Sequence, residues 1–422
     1  MMQAAFFQHA SVACTKTPGT RFSSCRRIGN STSAFFAPTT KKKKRVAVLR
    51  SPVRAHHGPD YVAQFEPENA AGGGLIIAAA LLGRYLSTGK TLNCSGLVDP
   101  VEGMSKEFLS EKLPCIVGML ATSTVLPHLG LSHLLPAGGF ELIEGTSRLA
   151  LALFLVGFGS KLGGGCTSGH GLSGIGRLSS RSIVNVCTFM IFGALAATMF
   201  NTNALLHVVT ETGKGKAVAA VNAITNTAAA TQADKALYGK IIASSLAGFA
   251  TIAYLAKSDI IIKRGSRAAD VVKSAVHGAT GVLFGVGLCV GGMVNPAKVS
   301  TFFQFTQSTW DPSLAVLMGA ALAAIIPGVM LIKKQCNAPT FGDEFDRPDP
   351  GNIDTKLILG GAIFGTGWGL AGLCPGPLFV NLGAAFANQS ISATGGIGLA
   401  FLSFWVGRCG AQFVKGCLDS AA

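Results

Sequence analysis

Apolar residues in this chain gather into runs of the length a bilayer demands, and polar residues are confined to the gaps. A helix crosses the hydrocarbon core with about 17–25 mostly apolar residues. About nine runs approach or meet that length: 70–87, 113–131, 147–162, 183–200, 236–256, 271–288, 313–332, 355–371 and 391–413. Two polar stretches interrupt them. Residues 201–235, including the Thr-, Asn- and Ala-rich 222–233, read as a connector outside the membrane. Residues 333–355, with Lys333, Lys334, Asp343, Glu344, Asp346, Arg347 and Asp349, read as a second polar loop. The pattern predicts an all-α integral membrane protein: a segment 1–59, a first half 60–200, the connector 201–235 and a second half 236–422.

Four short stretches break the apolar pattern with glycine, proline and cysteine. They are Leu92-Asn93-Cys94-Ser95-Gly96, Gly163-Gly164-Gly165-Cys166-Thr167-Ser168-Gly169-His170, Gly287-Leu288-Cys289-Val290-Gly291 and Gly372-Leu373-Cys374-Pro375-Gly376-Pro377. Two of them belong to an internal repeat. Gly157, Gly159, Gly164 and Cys166 recur as Gly365, Gly367, Gly372 and Cys374 at one constant separation. Cys94-Ser95-Gly96 and Cys289-Val290-Gly291 repeat only Cys-x-Gly. Each half thus carries an early and a late cysteine loop, and internal repeats are common in transporter folds. The motifs alone leave open whether the halves run parallel or inverted.

Composition agrees with the pattern. Of 422 residues, 49% are hydrophobic and 13% charged, and mean hydropathy is +0.46. That is too little polar surface for a soluble globule of this size. The 54 glycines suit close helix approach in lipid. A net charge of +15 suggests a nucleic-acid partner until it is located: Met1 to Pro59 carries 11 Lys or Arg and no acid. The excess belongs to that arm, so no nucleic-acid partner is expected. A basic, acid-free arm rich in Ser, Thr, Ala and Phe fits an organellar transit peptide, plastid or mitochondrial. The alternative is a tail meeting anionic lipid, which leaves the cell membrane open as the location. The 11 cysteines, several between apolar residues, do not read as a disulfide scaffold in so long a chain.

The breaks carry the candidate chemistry. Non-helical backbone at membrane depth persists only where protein buries it or where it lines a polar path. Amides exposed at such breaks present partial positive charge to an anion. A thiol adds a weak donor and a polarizable acceptor suited to a soft, sulfur-bearing solute. Cys166, Cys374, Cys289 and Cys94 are therefore the candidate substrate-binding residues; the other cysteines read as small buried hydrophobes. His170, four residues after Cys166, could share a helix face with it as a metal ligand. The sequence holds no matching second pair, so no metal site and no cofactor are expected, and His170 reads as a loop anchor or a donor to the anion. Lys298 reads either as a snorkelling lysine or as a recruiter of anions at a vestibule.

The chain resembles the YeeE/YedE-type sulfur transporters, the bacterial thiosulfate-uptake permeases and their relatives, from about Gly72 to about Gly410. Three blocks carry the resemblance: Leu162 to Gly171 around Cys166, Gly291 to Val299 with Asn295-Pro296-Ala297-Lys298, and Gly367 to Pro377 around Cys374. Cys94 sits beside a Ser-Gly resembling the family's first loop. The resemblance implies an hourglass of helices with loops dipping to the centre from both sides. It also implies that thiosulfate passes between cysteines by transient hydrogen bonds to thiols. The chain departs from the pattern at Ser173, where many relatives have a second cysteine, and at Gly291, where a serine is common. After Val299 it lacks the usual Phe-Leu-Asp.

The expected function is a membrane permease, not an enzyme, for thiosulfate or a related inorganic sulfur anion. Its expected partners are that anion, the lipid bilayer and a soluble sulfur carrier or sulfurtransferase. No nucleotide-binding fingerprint accompanies the spans. The alternative is an integral-membrane sulfurtransferase forming a cysteine persulfide, which needs a thiolate activated by a neighbouring base.

Overall fold

The structure is a computed structural model that describes residues 65–99, 104–135, 146–200, 232–257, 266–307, 310–342, 344–347, 353–387 and 391–420. The segment 1–59, nearly all of the connector 201–235 and part of the 333–355 loop lie outside the described residues. Among those described the chain is helical throughout. The helices are α1 (Pro67–Thr88), α2 (Leu113–His128), α3 (Thr146–Leu162), α4 (Ser180–Met199), α5 (Gln232–Lys257), α6 (Arg267–Val290), α7 (Pro296–Phe302), α8 (Ser313–Gln335), α9 (Thr355–Ala371), α10 (Pro375–Ala387) and α11 (Ile391–Ser420). Short turns at Cys94–Leu97 and Ser132–Leu134, and π-helical segments at Phe108–Lys112 and Thr167–Gly174, complete the list.

Eight of these segments are long and apolar enough to cross a membrane, with α9 and α10 counted together. A ninth is added if α3 and the bent Thr167–Gly174 segment form one span. The apolar runs therefore located the spans, and the boundaries follow local chemistry. Ser179, Ser266 and Asp354 cap α4, α6 and α9 by accepting from the third amide on. Asn295 caps α7 with Pro296 in its first turn. Gly89, at φ 71°, closes α1 by donating its amide to the Tyr85 carbonyl.

Close backbone contacts reveal the relation between the halves. Gly159 of α3 lies against Gly360 and Phe364 of α9, while Gly367 of α9 lies against Ala152 and Val156 of α3. In the sequence repeat Gly159 corresponds to Gly367, Ala152 to Gly360 and Val156 to Phe364. The contact is unchanged when the halves are exchanged, the signature of a two-fold relation. Residue numbers rise along α3 as they fall along α9, so the two helices are antiparallel. The repeat is thus inverted, with its pseudo-two-fold axis across the helices, a question the motifs had left open.

The same exchange extends outward. Gly157 meets the Phe404 carbonyl of α11, and its counterpart Gly365 meets the Phe189 carbonyl of α4. Helix α2 packs on α6 as α8 packs on α1, and α1 packs on α6. Helix α5 packs on α1 outside the repeat. Interhelical contact in lipid has little hydrophobic drive, so tight van der Waals fit at small residues carries it.

A Cβ at Gly157 would lie 2.0 Å from the Phe404 oxygen, whereas one at Gly319 of α8 meets nothing within 4 Å. Gly157→Ala is expected to destabilise the protein by about 1–3 kcal/mol through overpacking. Gly319→Ala is expected to be neutral or slightly stabilising. Thermal unfolding of purified protein in detergent checks the pair; equal midpoints would refute the packing assignment.

Candidate functional site

The candidate site is built where two helices break at equivalent positions. Helix α3 ends as Gly163 donates its amide to the Gly159 carbonyl at 2.8 Å, and Gly164 turns the chain at φ 81°. Helix α9 ends as Gly372, at φ 62°, donates to the Trp368 carbonyl at 2.8 Å. These two glycines are repeat partners in a left-handed conformation that a side chain disfavours. After each turn the chain restarts as a helix beginning at a cysteine. The Cys166 carbonyl accepts from the His170 amide at 2.8 Å, and the Cys374 carbonyl from the Leu378 amide at 3.0 Å. Both thiols therefore stand at helix N-termini, where the first amides lack intrahelical acceptors. The Thr167–Gly174 segment bends 45° from α3.

The two N-termini meet. Thr167 Oγ1 lies 2.7 Å from Cys374 Sγ, and the backbone amides of Thr167 and Gly376 are directed at the same sulfur. Cys166 Sγ lies 3.2 Å from Ser168 Oγ and 3.5 Å from Asn93 Oδ1, to which it donates. The first loop closes the group. The Cys94 amide donates to Ser168 Oγ at 2.9 Å, and a Cβ on Gly376 would lie 3.5 Å from Cys94 Sγ. Cys94, Cys166 and Cys374 are thus assembled from three loops, all three buried.

Cys289 is also buried, in the last turn of α6, but no hydrogen bond among the described residues joins its thiol to the other three. On α6 the side chains facing Gly376 are Phe284 and Leu288. His170 lies inside the site with both ring nitrogens engaged: Nδ1 is 3.0 Å from Ser182 Oγ and Nε2 is 3.1 Å from the Gly163 carbonyl. It ties the re-entrant segment to α4 and to the end of α3. Lys298 is buried, its stem packed over Gly292 and its Nζ 3.9 Å from Asp311, a fully buried carboxylate. Among the described residues no group of three or more His, Cys, Asp or Glu side chains is placed to hold a metal ion.

Two of the three departures noted from the sequence, at Ser173 and Gly291, have structural counterparts. Ser173 donates to the Leu92 carbonyl at 3.0 Å, tying the first re-entrant segment to the first loop. Its repeat partner Asn381 donates to the Val294 carbonyl at 3.0 Å and does the same in the second half. A Cβ at Gly291 would lie 2.2 Å from Leu317 Cδ1, so a serine there would displace Leu317. Sequence reasoning missed Asn93, Thr167 and Ser168, the polar partners of the thiols. Their positions immediately beside Cys94 and Cys166 were the available signal.

Broken helices facing each other across an inverted repeat, with buried thiols at their N-termini, define a multi-pass integral membrane protein with its site at the meeting of the halves. A family model described as a family of unknown function (DUF6691) matches residues 272–409. A protein of Xylella fastidiosa (strain Temecula1 / ATCC 700964) described as a probable transporter is 41% identical over 110 residues, 26% of this chain and 74% of that protein. Its counterpart in strain 9a5c is 43% identical over 104 residues, 25% and 70% of the two chains. A further Temecula1 protein with the same description is 34% identical over 129 residues, 29% and 90%. The chain belongs to the same family as these bacterial proteins, each much shorter than itself.

An ion triad braces the first loop against this site. Asp99 accepts from Lys161 Nζ at 2.7 Å and from Arg408 Nη2 at 3.2 Å, and Arg408 Nε donates to the Val98 carbonyl at 3.0 Å. Arg408 is buried and Asp99 and Lys161 are part-buried, so removing the shared carboxylate strands two cations. Asp99→Asn is therefore expected to cost about 1–3 kcal/mol, and adding Lys161→Met in that background is expected to recover part of the loss. The thermal midpoints of the single and double variants decide the matter.

Proposed function

We propose that the protein is a membrane permease for thiosulfate or a closely related inorganic sulfur anion, and that Cys94, Cys166 and Cys374 pass the anion along. The observation that carries this reading is the convergence of three buried thiols on two helix N-termini, centred on Thr167 and Cys374 at 2.7 Å. The description of the Xylella relatives as probable transporters supports the coarser half of it.

The chemistry follows from the two ends of the solute. Its oxygens carry charge that the Thr167 and Gly376 amides, which converge beside Cys374 Sγ, stabilise, since Pro375 and Pro377 supply no N–H. Its terminal sulfur is soft, and an S–H is a weak donor matched to it. Weak, multiple contacts let the anion leave as readily as it arrives. Ser168 links the first two thiol loops, so the anion could exchange Cys94 for Cys166 with little movement of the backbone. Cys289, in the last turn of α6 just before the second break, is assigned the role of a further contact beyond the three clustered thiols. His170 holds the re-entrant segment in place, and Lys298, its charge met by Asp311, packs its stem behind the second break. The basic, acid-free arm at 1–59 supports an organellar membrane as the location, with the cell membrane as the alternative.

The sulfurtransferase alternative needs a base to ionise Cys166. His170 was its best candidate, and its ring nitrogens are committed to Ser182 and Gly163.

In proteoliposomes, labelled thiosulfate uptake is expected to saturate for the wild type and to fall about tenfold or more in Cys166→Ser and in Cys374→Ser, a loss of about 1.4 kcal/mol when a soft S–H contact to the terminal sulfur is replaced by a hydroxyl. A hydroxyl is a harder donor, so sulfate competes better in the variants than in the wild type. Uptake unaffected by either substitution would refute the thiol path, and a stable persulfide on Cys166 would favour sulfur transfer.

A further inference from the structure

A second cluster of buried polar groups lies on α1, α2 and α6, outside the site described above. Arg84, in the last turns of α1, is 5% exposed, and its Nε and Nη1 have no hydrogen-bond partner. No ion pair with a carboxylate is found for it among the described residues; its guanidinium reaches the thiol of Cys115 at the start of α2. His277 on α6 is fully buried, and neither of its ring nitrogens has a partner. Arg84, Lys273 and Lys90 bring positive charge to it, of which Lys273 is paired with the buried Glu111 at 2.6 Å and Arg84 is not paired with a carboxylate.

The packing places these groups at one level. Gly118 of α2 lies against the Gly278 carbonyl and Gly281 against the Cys115 carbonyl, so Cys115 and His277 face a common seam. Gly73 of α1 meets Gly287 of α6, and the antiparallel course of the two helices brings Arg84 toward His277. A guanidinium buried without counter-charge, beside an imidazole with both nitrogens empty, is costly unless a ligand completes it. Lys161, Arg408 and Lys298, the basic groups nearer the thiol cluster, each have a carboxylate close by.

We propose that Arg84, His277 and Cys115 form a second binding site, for a small dehydrated thio-oxyanion. The guanidinium fork takes two oxygens, the His277 N–H a third, and the Cys115 thiol faces the soft sulfur end. The Cys94–Leu97 turn packs against both α2, the helix of Cys115, and the Thr167–Gly174 segment, so the proposed site would be a waiting position next to the thiol cluster. The identity of the ligand rests on the permease reading; the existence of an anion site rests on the orphaned donors alone.

Stabilisation by ligand tests it on the purified full chain in detergent, since a ligand that binds only the folded state raises the unfolding midpoint. Sodium thiosulfate is expected to raise the wild-type midpoint in a concentration-dependent way, and to do so still in Cys166→Ser/Cys374→Ser. When Arg84→Met is added to that double variant, the shift is expected to need roughly tenfold more thiosulfate or to vanish, as a lost charge-assisted pair demands. Without anion, Arg84→Met is expected to be at least as stable as the wild type, because it removes an uncompensated charge. Arg84→Lys, which keeps the charge and loses the fork, is expected to fall between and serves should the methionine variant fail to fold. A thiosulfate shift undiminished by Arg84→Met in the double-variant background, or no shift in the wild type, overturns the site. An Arg84-dependent shift as large with sulfate or chloride overturns the ligand class and leaves an anion site of other selectivity. Failure of uptake with the shift intact sinks the permease reading alone.

Discussion

Backbone hydrogen bonding inside a membrane is the constraint on which this structure depends. A chain that leaves the helix within hydrocarbon must find partners for every freed amide and carbonyl. At Gly164 and Gly372 it leaves twice, in the left-handed conformation, and restarts at Cys166 and Cys374. The freed groups are met by neighbouring loops rather than by lipid. Gly163 offers its carbonyl to His170, Leu92 to Ser173 and Val294 to Asn381. The side chains that repair the breaks fix where the thiols stand, so the fold and the site are consequences of one requirement.

The inverted repeat turns that local solution into a path. Because α3 and α9 exchange roles across their contact, each break is carried by one half and braced by the other, as Thr167 shows by meeting Cys374. A site on such an axis is equally related to both faces of the membrane. The symmetry is not perfect at the level of side chains. Three thiols gather at the centre while Cys289 stays at the end of α6, and Ser173 stands opposite Asn381. These differences give an otherwise two-fold site a direction, which a solute with one sulfur end and one oxygen end can use.

Much of the fold was legible because bilayer thickness imposes a length on apolar runs, and the run 355–371 coincides with α9. The short helices α7 and α10 and the π-helical segment after Cys166 were not legible as helices. Glycine and proline there read as breaks, and only the tertiary contacts that reward a restart show that helix resumes. The clustering of Cys94 with Cys166 and Cys374 was not legible either, since it depends on loops from distant parts of the chain. Arg84 and His277 did leave a signal: each is an ionisable residue inside an apolar run, which in a membrane marks function more often than accident. Cys115 gave none, because a lone cysteine in an apolar helix reads as a small hydrophobe.

The placement of charge explains why thiols are suited to the centre. A fixed cation with free donors beside the breaks would hold an anion tightly, and the basic groups there have their donors engaged. Lys161 and Arg408 share Asp99, Lys298 lies near Asp311, and Arg177 keeps its charge but donates to the backbone carbonyls of Ser173 and Asp346. What remains around Cys166 and Cys374 is a set of amides, hydroxyls and S–H groups, each a weak donor. Away from that centre, Arg84 is a buried cation for which no ion pair is found among the described residues; in the proposed second site it makes the strong contact that precedes the weaker ones. A gradient from one strong donor to several weak ones is what a route needs if it is to be selective at its mouth and fast at its constriction.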